Sequence, residues 1–417
     1  LSEFSYMLAF EQSKNEELLV SNLQKQGKTI HWQYEFIELK EFKESIVAVA
    51  KQDNNLIQIN AKYLIACDGA NSAVRQQLKF SFKGGTYSHK FFVADTQLQW
   101  DQPYDKLIVA PGVNNFCALF PLYGEKSYRV IGSLPKHFFD KEDISFADIE
   151  SVVMDTLGIK AKFEAVNWFS TYKLHHRGVD HFREGNVFLA GDSAHIHSPA
   201  GGQGMNTGLQ DAYNLCWKLA MVLKKQAHPS ILDTYNEERL PFARWLLKFT
   251  DRGFNIMTST NWFIKKLRKY VAFNLVGMIP TIAWVRPTMF RVLSQIWYSY
   301  AGRSLSGSAT KQKLKFRAGD RVPYLGADNI YPSLTDPSFH LVHIHSEPLD
   351  NFLLKRISQW LPFPVKLIEC PLNKSWLNLG VVSEIFILIR PDNYIGFLFD
   401  KLDESDIRAY LNKYFNL

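Results

Sequence analysis

No G-x-G-x-x-G loop occurs anywhere in the 417 residues, so the glycine fingerprint by which a first strand–turn–helix grips a pyrophosphate is missing. Cysteine is scarce as well. Cys67, Cys117, Cys216 and Cys370 stand far apart, with no C-x-x-C pair. Such spacing argues against a disulfide scaffold, dithiol exchange and a zinc knuckle, and it fits a reducing, cytoplasmic setting. Cys67 and Cys216 fall inside apolar runs and are expected to be buried as small hydrophobes. Long apolar runs are absent too. The longest uncharged stretch, Tyr270 to Val285, contains Pro280 and falls short of the ~20 residues a membrane span needs. It reads as a buried helix pair broken at the proline, so no integral membrane span is expected. No signal peptide, internal repeat or low-complexity tract stands out.

The charge is basic, +7 overall, with Lys and Arg crowded from Arg244 to Lys269 and from Lys311 to Arg321. These residues alternate with apolar ones as on the wet face of a helix. No nucleic-acid-binding module accompanies them, so nucleic acid is not an expected partner. Steering of an anionic ligand is the secondary reading. Aromatics are high at 14%, which suits large flat ligands and a bulky core equally.

The length implies more than one domain, and the pattern divides the chain into four stretches. Residues 1–81 open with a helix for which Asn15 is the expected N-cap, Leu18, Leu19 and Leu23 the stripe, and Gly27 the stop. Short β-like runs follow at Thr29–Leu39, Ser45–Lys51 and Leu56–Asn60, with Asp53, Asn54 and Asn55 as a turn. Residues 82–175 alternate like an antiparallel sheet, in runs Lys90–Trp100, Leu107–Val109, Phe116–Leu122 and Ser127–Ser133, with a helix over Ser145–Leu157. Residues 176–310 turn helical after Asn206. Pro241 is expected to kink a helix over Ser230–Thr250, and the Gly/Ser-rich run 301–308 reads as a linker. Residues 311–417 offer strand His340–His345, helix Leu349–Leu361, strand Val365–Glu369, hairpin Glu384–Arg390 with Tyr394–Asp400, and helix Ser405–Phe415. That order fits a thioredoxin-like sandwich, without the paired cysteines of dithiol exchange.

Two segments carry the chemistry, Tyr63 to Arg75 (YLIACDGANSAVR) and Asn186 to Asn206 (NVFLAGDSAHIHSPAGGQGMN). Each reads as a buried strand that delivers an aspartate beside a glycine. A helix is predicted after the second, from near Gly204 through Ala220. In open α/β sheets, ligands sit at the carboxyl ends of strands, and helix N-termini there attract anionic groups. The chain is therefore expected to hold a large dinucleotide-like cofactor. His175, His176, His181, His195 and His197 crowd the same region. No cysteine or carboxylate stands at ligand spacing from them, and no metal centre is expected.

These residues resemble the FAD-dependent single-component aromatic hydroxylases, the class A flavoprotein monooxygenases, and among them the phenol hydroxylase and polyketide hydroxylase branch. Asp68-Gly69 with Ser72 and Arg75 is similar to that family's Asp-Gly motif, and Gly191-Asp192 with the run to Asn206 is similar to its Gly-Asp motif. Gln12 to Leu19 resembles its Gln-x-x-x-Glu-x-x-Leu helix, and Arg390 to Asp392 the end of its C-terminal domain. The resemblance implies an α/β fold with three parts: a Rossmann-like, three-layer FAD-binding domain, an inserted antiparallel-sheet substrate lobe and a C-terminal thioredoxin-like α/β domain. Family members begin with a βαβ unit bearing the glycine-rich loop. The likeness therefore also implies an N-terminally incomplete FAD domain with a raw sheet edge.

By the same resemblance FAD is the cofactor and NADPH or NADH the reductant. O2 adds at the flavin C4a carbon, and the hydroperoxide passes an oxygen to a small aromatic substrate, phenolic or polyketide-like. Gln12, Asp68, Arg75, Gly191, Asp192, Pro199, Gly201, Gly202, Gly204, Met205 and Asn206 would hold the cofactor, with Pro199 and Gly202 beside the reacting carbon. Asp192 would accept from a ribityl or ribose hydroxyl, and the glycines would let backbone approach the planar ring. The following helix would direct its N-terminus at the N1–C2=O edge of the flavin. Arg75 would touch the pyrophosphate or pair with Asp68, and His195 would pack beneath the loop. Phe91, Phe116, Phe120 and Tyr123 on the inserted sheet are candidate substrate walls, which core packing explains as well. Relatives suggest a homodimer through the C-terminal domain. Two other readings stand beside this one: a related flavin halogenase or epoxidase, and a non-catalytic remnant acting as a binding or structural protein.

Overall fold

The computed structural model describes residues 3–4, 6, 8–42, 45–100, 106–112, 115–158, 162–198, 202–258, 262, 285–348 and 359–416. Helix α1 (Gln12–Lys25) begins ahead of Asn15 because Glu11, extended at φ −62 and ψ 139, takes the N-cap position. Gly27, at φ +69, ends it in a conformation that glycine adopts without strain. Strands β1 (Glu35–Glu41), β2 (Ile46–Gln52) and β3 (Asn55–Ala61) form an antiparallel meander. Strand β4 (Leu64–Ala66) and the short helix α2 (Ala73–Gln77) follow. The Gln77 amide clamps β1, donating to the Leu39 carbonyl and accepting from the Leu39 N–H, both at 2.9 Å.

The next stretch is a sheet built around two long strands. In order come β5 (Phe82–Gln99), β6 (Ile108–Pro111), β7 (Phe116–Pro121), β8 (Ser127–Ser133), helix α3 (Glu150–Leu157) and β9 (Lys162–Val179). β5 pairs antiparallel with both β9 and β8, and β8 continues through β7 to β6. The β5–β9 ladder shifts register between Thr86 and Lys90, which is why the sequence alternation reads as a strand only from Lys90. Strand periodicity sends Phe92, Ala94 and Leu98 to one face, against Leu119, Val130 and Val153. Phe91 goes to the other face. Gly84 has no alternative residue: a Cβ there would fall 1.8 Å from the His176 carbonyl oxygen. Helix α3 starts later than Ser145 because Asp148 first draws the Ser145 N–H and hydroxyl, at 2.8 and 2.6 Å, into a turn.

Strand β9 runs past residue 175 to Val179. A hairpin of β10 (Arg183–Glu184) and β11 (Val187–Leu189) then sets β11 parallel to β4. Strand β12 (His195–Ile196) pairs with β9, so the second aspartate loop bridges the small parallel sheet and the large antiparallel one. Helices α4 (Gly204–Leu223), α5 (Asp233–Thr258, running through Pro241) and α6 (Val285–Leu293) follow. Among the described residues β4 is a sheet edge. The outer face of α4, with Met205, Leu209 and Tyr213, is uncovered. Cys67 and Cys216 lie on this uncovered side and are exposed, which corrects the burial inferred from their apolar neighbours.

The C-terminal unit contains β13 (Gly307–Ser308), β14 (Phe339–His345), β15 (Val365–Pro371), α7 (Lys374–Asn378), β16 (Ile385–Ile389), β17 (Ile395–Phe399) and α8 (Glu404–Leu411). Its sheet order is β13-β17-β16-β14-β15, with β14 parallel to β15 and antiparallel to β16. The expected helix over 349–361 and the apolar stretch 270–285 fall outside the described residues except at their ends. Both faces of this sheet are covered, so β16 and β17 are apolar throughout. One face packs Val342, Ile387 and Leu398 around Trp376. The other, with Leu341, Phe386 and Phe397, merges with Leu215 and Trp217 of α4 into a core shared with β11. No helix among the described residues is long and apolar enough to cross a membrane.

Candidate functional site

The two aspartate loops leave the same end of adjoining parallel strands. Leu64 to Ala66 pair in register with Val187 to Leu189, so Asp68 and Asp192 follow the carboxyl ends of neighbours. The Ala190 N–H extends the pairing to the Ala66 carbonyl at 3.1 Å. Ser193 then folds the chain back: its hydroxyl donates to the Ala66 carbonyl at 2.7 Å and accepts from the Ala190 N–H at 3.1 Å. Gly191 stands at φ +61 in this turn.

Arg75 ties the loops together. Its Nη1 donates to the Ser193 carbonyl at 2.8 Å, its Nη2 to the Ala70 carbonyl at 2.6 Å, and the guanidinium lies 3.8 Å over the Phe82 ring. The side chain is buried, and that burial lowers its pKa although Asp68 pulls the other way. Neither expectation for Arg75, a pyrophosphate contact or a pair with Asp68, includes this role; the residue is a strut between the motifs. Asp68 caps α2, accepting from the Val74 N–H at 3.2 Å.

Behind the second loop lies a buried polar assembly. Asp211 receives the Gly191 N–H at 3.2 Å, sits 2.7 Å from His195 Nε2, and accepts from Arg239 Nε at 2.7 Å. Burial opposes its charge, but Arg239 and His195 outweigh it and hold the carboxyl below its ordinary range. Gln295 supports the start of α4 from outside, donating to Gln203 Oε1 at 3.2 Å and Thr207 Oγ1 at 2.9 Å. The motifs do not point to these partners, because no local pattern marks a residue that acts across a long loop.

The loop's open side is different. Asp192 is exposed, with no hydrogen bond to its carboxylate among the described residues. Gly202, at φ +62, has nothing within 4 Å of where a Cβ would stand. Helix α4 has no side-chain cap and no acidic residue in its first turn, so among the described residues its positive dipole end meets no capping carboxylate. Met205 and Asn206 are exposed beside it. Helix α1 reaches this corner, with Asn15 Nδ2 3.6 Å from Met205 Sδ. Gln12, exposed on α1, donates to Glu16 at 2.9 Å. Gly204 tolerates a Cβ within the protein itself, 3.7 Å from the His197 ring. Pro199 and Gly201 lie outside the described residues.

The four sheet aromatics do not act together. Phe91 and Phe116 pack with Tyr87, Leu174 and Phe254. Phe120 is only half-buried on β7, and Tyr123 is 88% exposed at a hairpin tip, where its N–H donates to Glu11 at 2.7 Å. Tyr87, unremarked in the sequence, donates its hydroxyl to Asp251 at 2.7 Å; burial and that carboxylate together raise its pKa. A surface cleft of about 400 Å³ lined by His181, Arg183, Glu184, Pro229, Asp233 and Asn236 lies at the opposite end of β11 from Asp192. It is no part of this site.

Known proteins resemble this chain in sequence and fold. The chain is 28% identical to a flavin-dependent monooxygenase of Mycobacteroides abscessus, over 92% of this chain and 74% of that one. It is 28% identical to an uncharacterized aromatic compound monooxygenase of Bacillus subtilis, over 95% and 76% respectively. Among solved structures, the anhydrotetracycline hydroxylase OxyS from Streptomyces rimosus superposes with a TM-score of 0.75 at 23% identity, covering 98% of this chain and 80% of that one. Residues 1–250, which contain both aspartate loops and the whole antiparallel lobe, match the FAD binding domain family, and the chain belongs to that family.

Proposed function

We propose that this protein is an FAD-dependent monooxygenase that hydroxylates an aromatic substrate, phenolic or polyketide-like, with NADPH or NADH as reductant and O2 as co-substrate. The observation that carries the reading is the pairing of Asp68 and Asp192 at the ends of adjoining parallel strands, next to the uncapped start of α4. The residues present fit FAD: an exposed carboxylate for a sugar-like hydroxyl, an open glycine for a flat ring, and a helix N-terminus without a side-chain cap for negative charge. The names of the relatives, a flavin-dependent monooxygenase and an aromatic compound monooxygenase, support the same reading.

When bound and reduced by the nicotinamide, FAD supplies the activated oxygen that is transferred to the ring. The chain's own contribution is binding, orientation and shelter. Asp192 would accept a hydroxyl of the ribityl or ribose chain, and Gly202 with the first turn of α4, including Met205 and Asn206, would hold the ring. Gly191, Asp68 and Gln12 would contribute beside them, and the motif assigns the same role to Pro199 and Gly201. The C-terminal unit is read as thioredoxin-like, a reading supported by one parallel and two antiparallel pairings around β14 and β16. It is the surface through which we expect a homodimer to form. Four free cysteines support a cytoplasmic setting.

The test is reconstitution of the purified chain with FAD, followed by NADPH oxidation with a panel of phenols and polycyclic aromatics. A retained yellow flavin, substrate-stimulated NADPH oxidation and a product carrying one oxygen atom from O2 are expected. Failure to retain flavin at micromolar FAD, or NADPH oxidation without any oxygenated product across the panel, would overturn the proposal.

A further inference from the structure

We propose that His343, His345 and Glu369 form a binding site for one divalent transition ion of the zinc class, at the carboxyl end of β14. The site lies in the C-terminal unit, is independent of the flavin reading, and uses residues that the sequence motifs left unexplained.

Its origin is strand register. His343 and His345 are two apart on β14 and therefore share a face. The parallel neighbour β15 sets Glu369 directly opposite His343. As a result, His343 Nδ1 stands 2.7 Å and His345 Nε2 3.0 Å from the same oxygen, Glu369 Oε2. One ligand atom from each residue lies within 4.8 Å of the other two, and this is the one such group of three among the described residues.

The surroundings of the two rings make the convergence informative. His343 also places Nε2 2.7 Å from Glu384 Oε1. His343 therefore has a carboxylate oxygen within hydrogen-bond distance of each ring nitrogen. His345 is nearly fully buried, and neither of its ring nitrogens has a hydrogen bond of good geometry. The two imidazoles stack with centroids 4.5 Å apart, and each brings a ring nitrogen to the same Glu369 oxygen. A single cation between the three residues would take one donor atom from each.

The ligand chemistry selects the ion. Two imidazoles and a carboxylate suit zinc-class metals and leave a fourth position for water. The Glu384 contact on the far nitrogen of His343 is the outer carboxylate that characteristically orients a metal-bound histidine. Metal–ligand bonds of about 2.0–2.2 Å require the donor atoms to spread by a few tenths of an ångström. Glu369 can give that room, because β15 is the sheet edge and its side chain is 31% exposed. The same exposure provides the entry path.

The experiment uses the untagged, chelator-stripped 417-residue chain, titrated with Zn(II) by calorimetry and with Co(II) by visible spectroscopy. One equivalent bound with micromolar or tighter affinity is expected, with Co(II) ligand-field bands of a low-coordinate site and a rise in melting temperature. His345→Gln and Glu369→Gln should each weaken binding by about 100-fold, and Glu384→Gln by about 10-fold, in line with outer-carboxylate losses. His181→Gln, which removes an exposed histidine paired to Glu184, should leave it unchanged. Near-ultraviolet circular dichroism of the variants separates lost ligation from lost folding. Equal binding by wild type and His345→Gln, loss of binding in His181→Gln, or no binding at about 100 µM Zn(II) would each overturn the proposal.

Discussion

Arg390 grips Glu238 with two nitrogens, Nη1 at 2.5 Å and Nη2 at 2.9 Å, and both side chains are fully buried. The pair joins the C-terminal sheet to α5. Lys218 and Asn214 of α4 add donors to the same carboxylate, each at 2.8 Å, and Asp392 returns to Arg390 at 2.6 Å. Removing one member of such a set strands the others without water. Glu238→Gln should therefore lower unfolding stability by about 3–5 kcal/mol, read from the urea midpoint. A loss under about 1 kcal/mol would show that the pair is not buried in solution.

The same carboxylate sets an acid limit. Burial works against its charge, but Arg390, Lys218 and the hydrogen bonds from Arg390 and Asn214 outweigh it and hold the pKa at about 2, against an ordinary 4.5. The folded state thus binds fewer protons here than the unfolded chain. The stability this contributes is complete above pH ~4.5 and is lost as pH falls toward ~2. Melting temperature followed from pH 6 to pH 3 should fall more steeply for wild type than for Glu238→Gln. Parallel curves would contradict the assignment.

Asp192 and Arg75 test whether cofactor binding and scaffold can be separated. Asp192 is exposed and, among the described residues, its carboxylate accepts no hydrogen bond. Asp192→Asn should therefore leave stability within about 0.5 kcal/mol while weakening FAD by roughly 10-fold or more, the worth of a charged hydrogen bond. Arg75→Met removes donors from two carbonyls and should cost about 1–3 kcal/mol of stability before any cofactor is added. Fluorescence quenching of FAD beside urea unfolding measures both. If Asp192→Asn unfolds easily and Arg75→Met does not, Asp192 is the strut and Arg75 is not.

What the sequence discloses is what local pattern controls. The β2–β3 turn announces itself through Asp53 and Asn54, and the start of α4 at Gly204 is visible where the glycine run gives way to a helical stripe. The exposure of Cys67 and Cys216 is not legible, because an apolar run says nothing about whether an edge strand or an outer helix face is covered. Gln295 reaching Gln203, and Glu369 meeting His343, depend on strand and helix placement set by distant contacts, which no spacing encodes. Tyr123 resembles a pocket aromatic in the sequence only because alternation does not reveal that its hairpin ends there.

Gly191 and Gly208 face one another where α4 packs on the second loop, yet they should respond oppositely to alanine. A Cβ on Gly208 would rest 3.5 Å from the Gly191 Cα, an ordinary contact, and Gly208 is inside a helix. Gly208→Ala should therefore be neutral or gain up to about 1 kcal/mol from reduced backbone freedom in the unfolded chain. Gly191 stands at φ +61, where an L side chain costs about 1–2 kcal/mol. Gly191→Ala should destabilise by that amount and weaken FAD as the Asp192 loop shifts. Urea unfolding of both variants decides it: an equal response would mean that crowding between the two elements, rather than the backbone angle at 191, governs this junction.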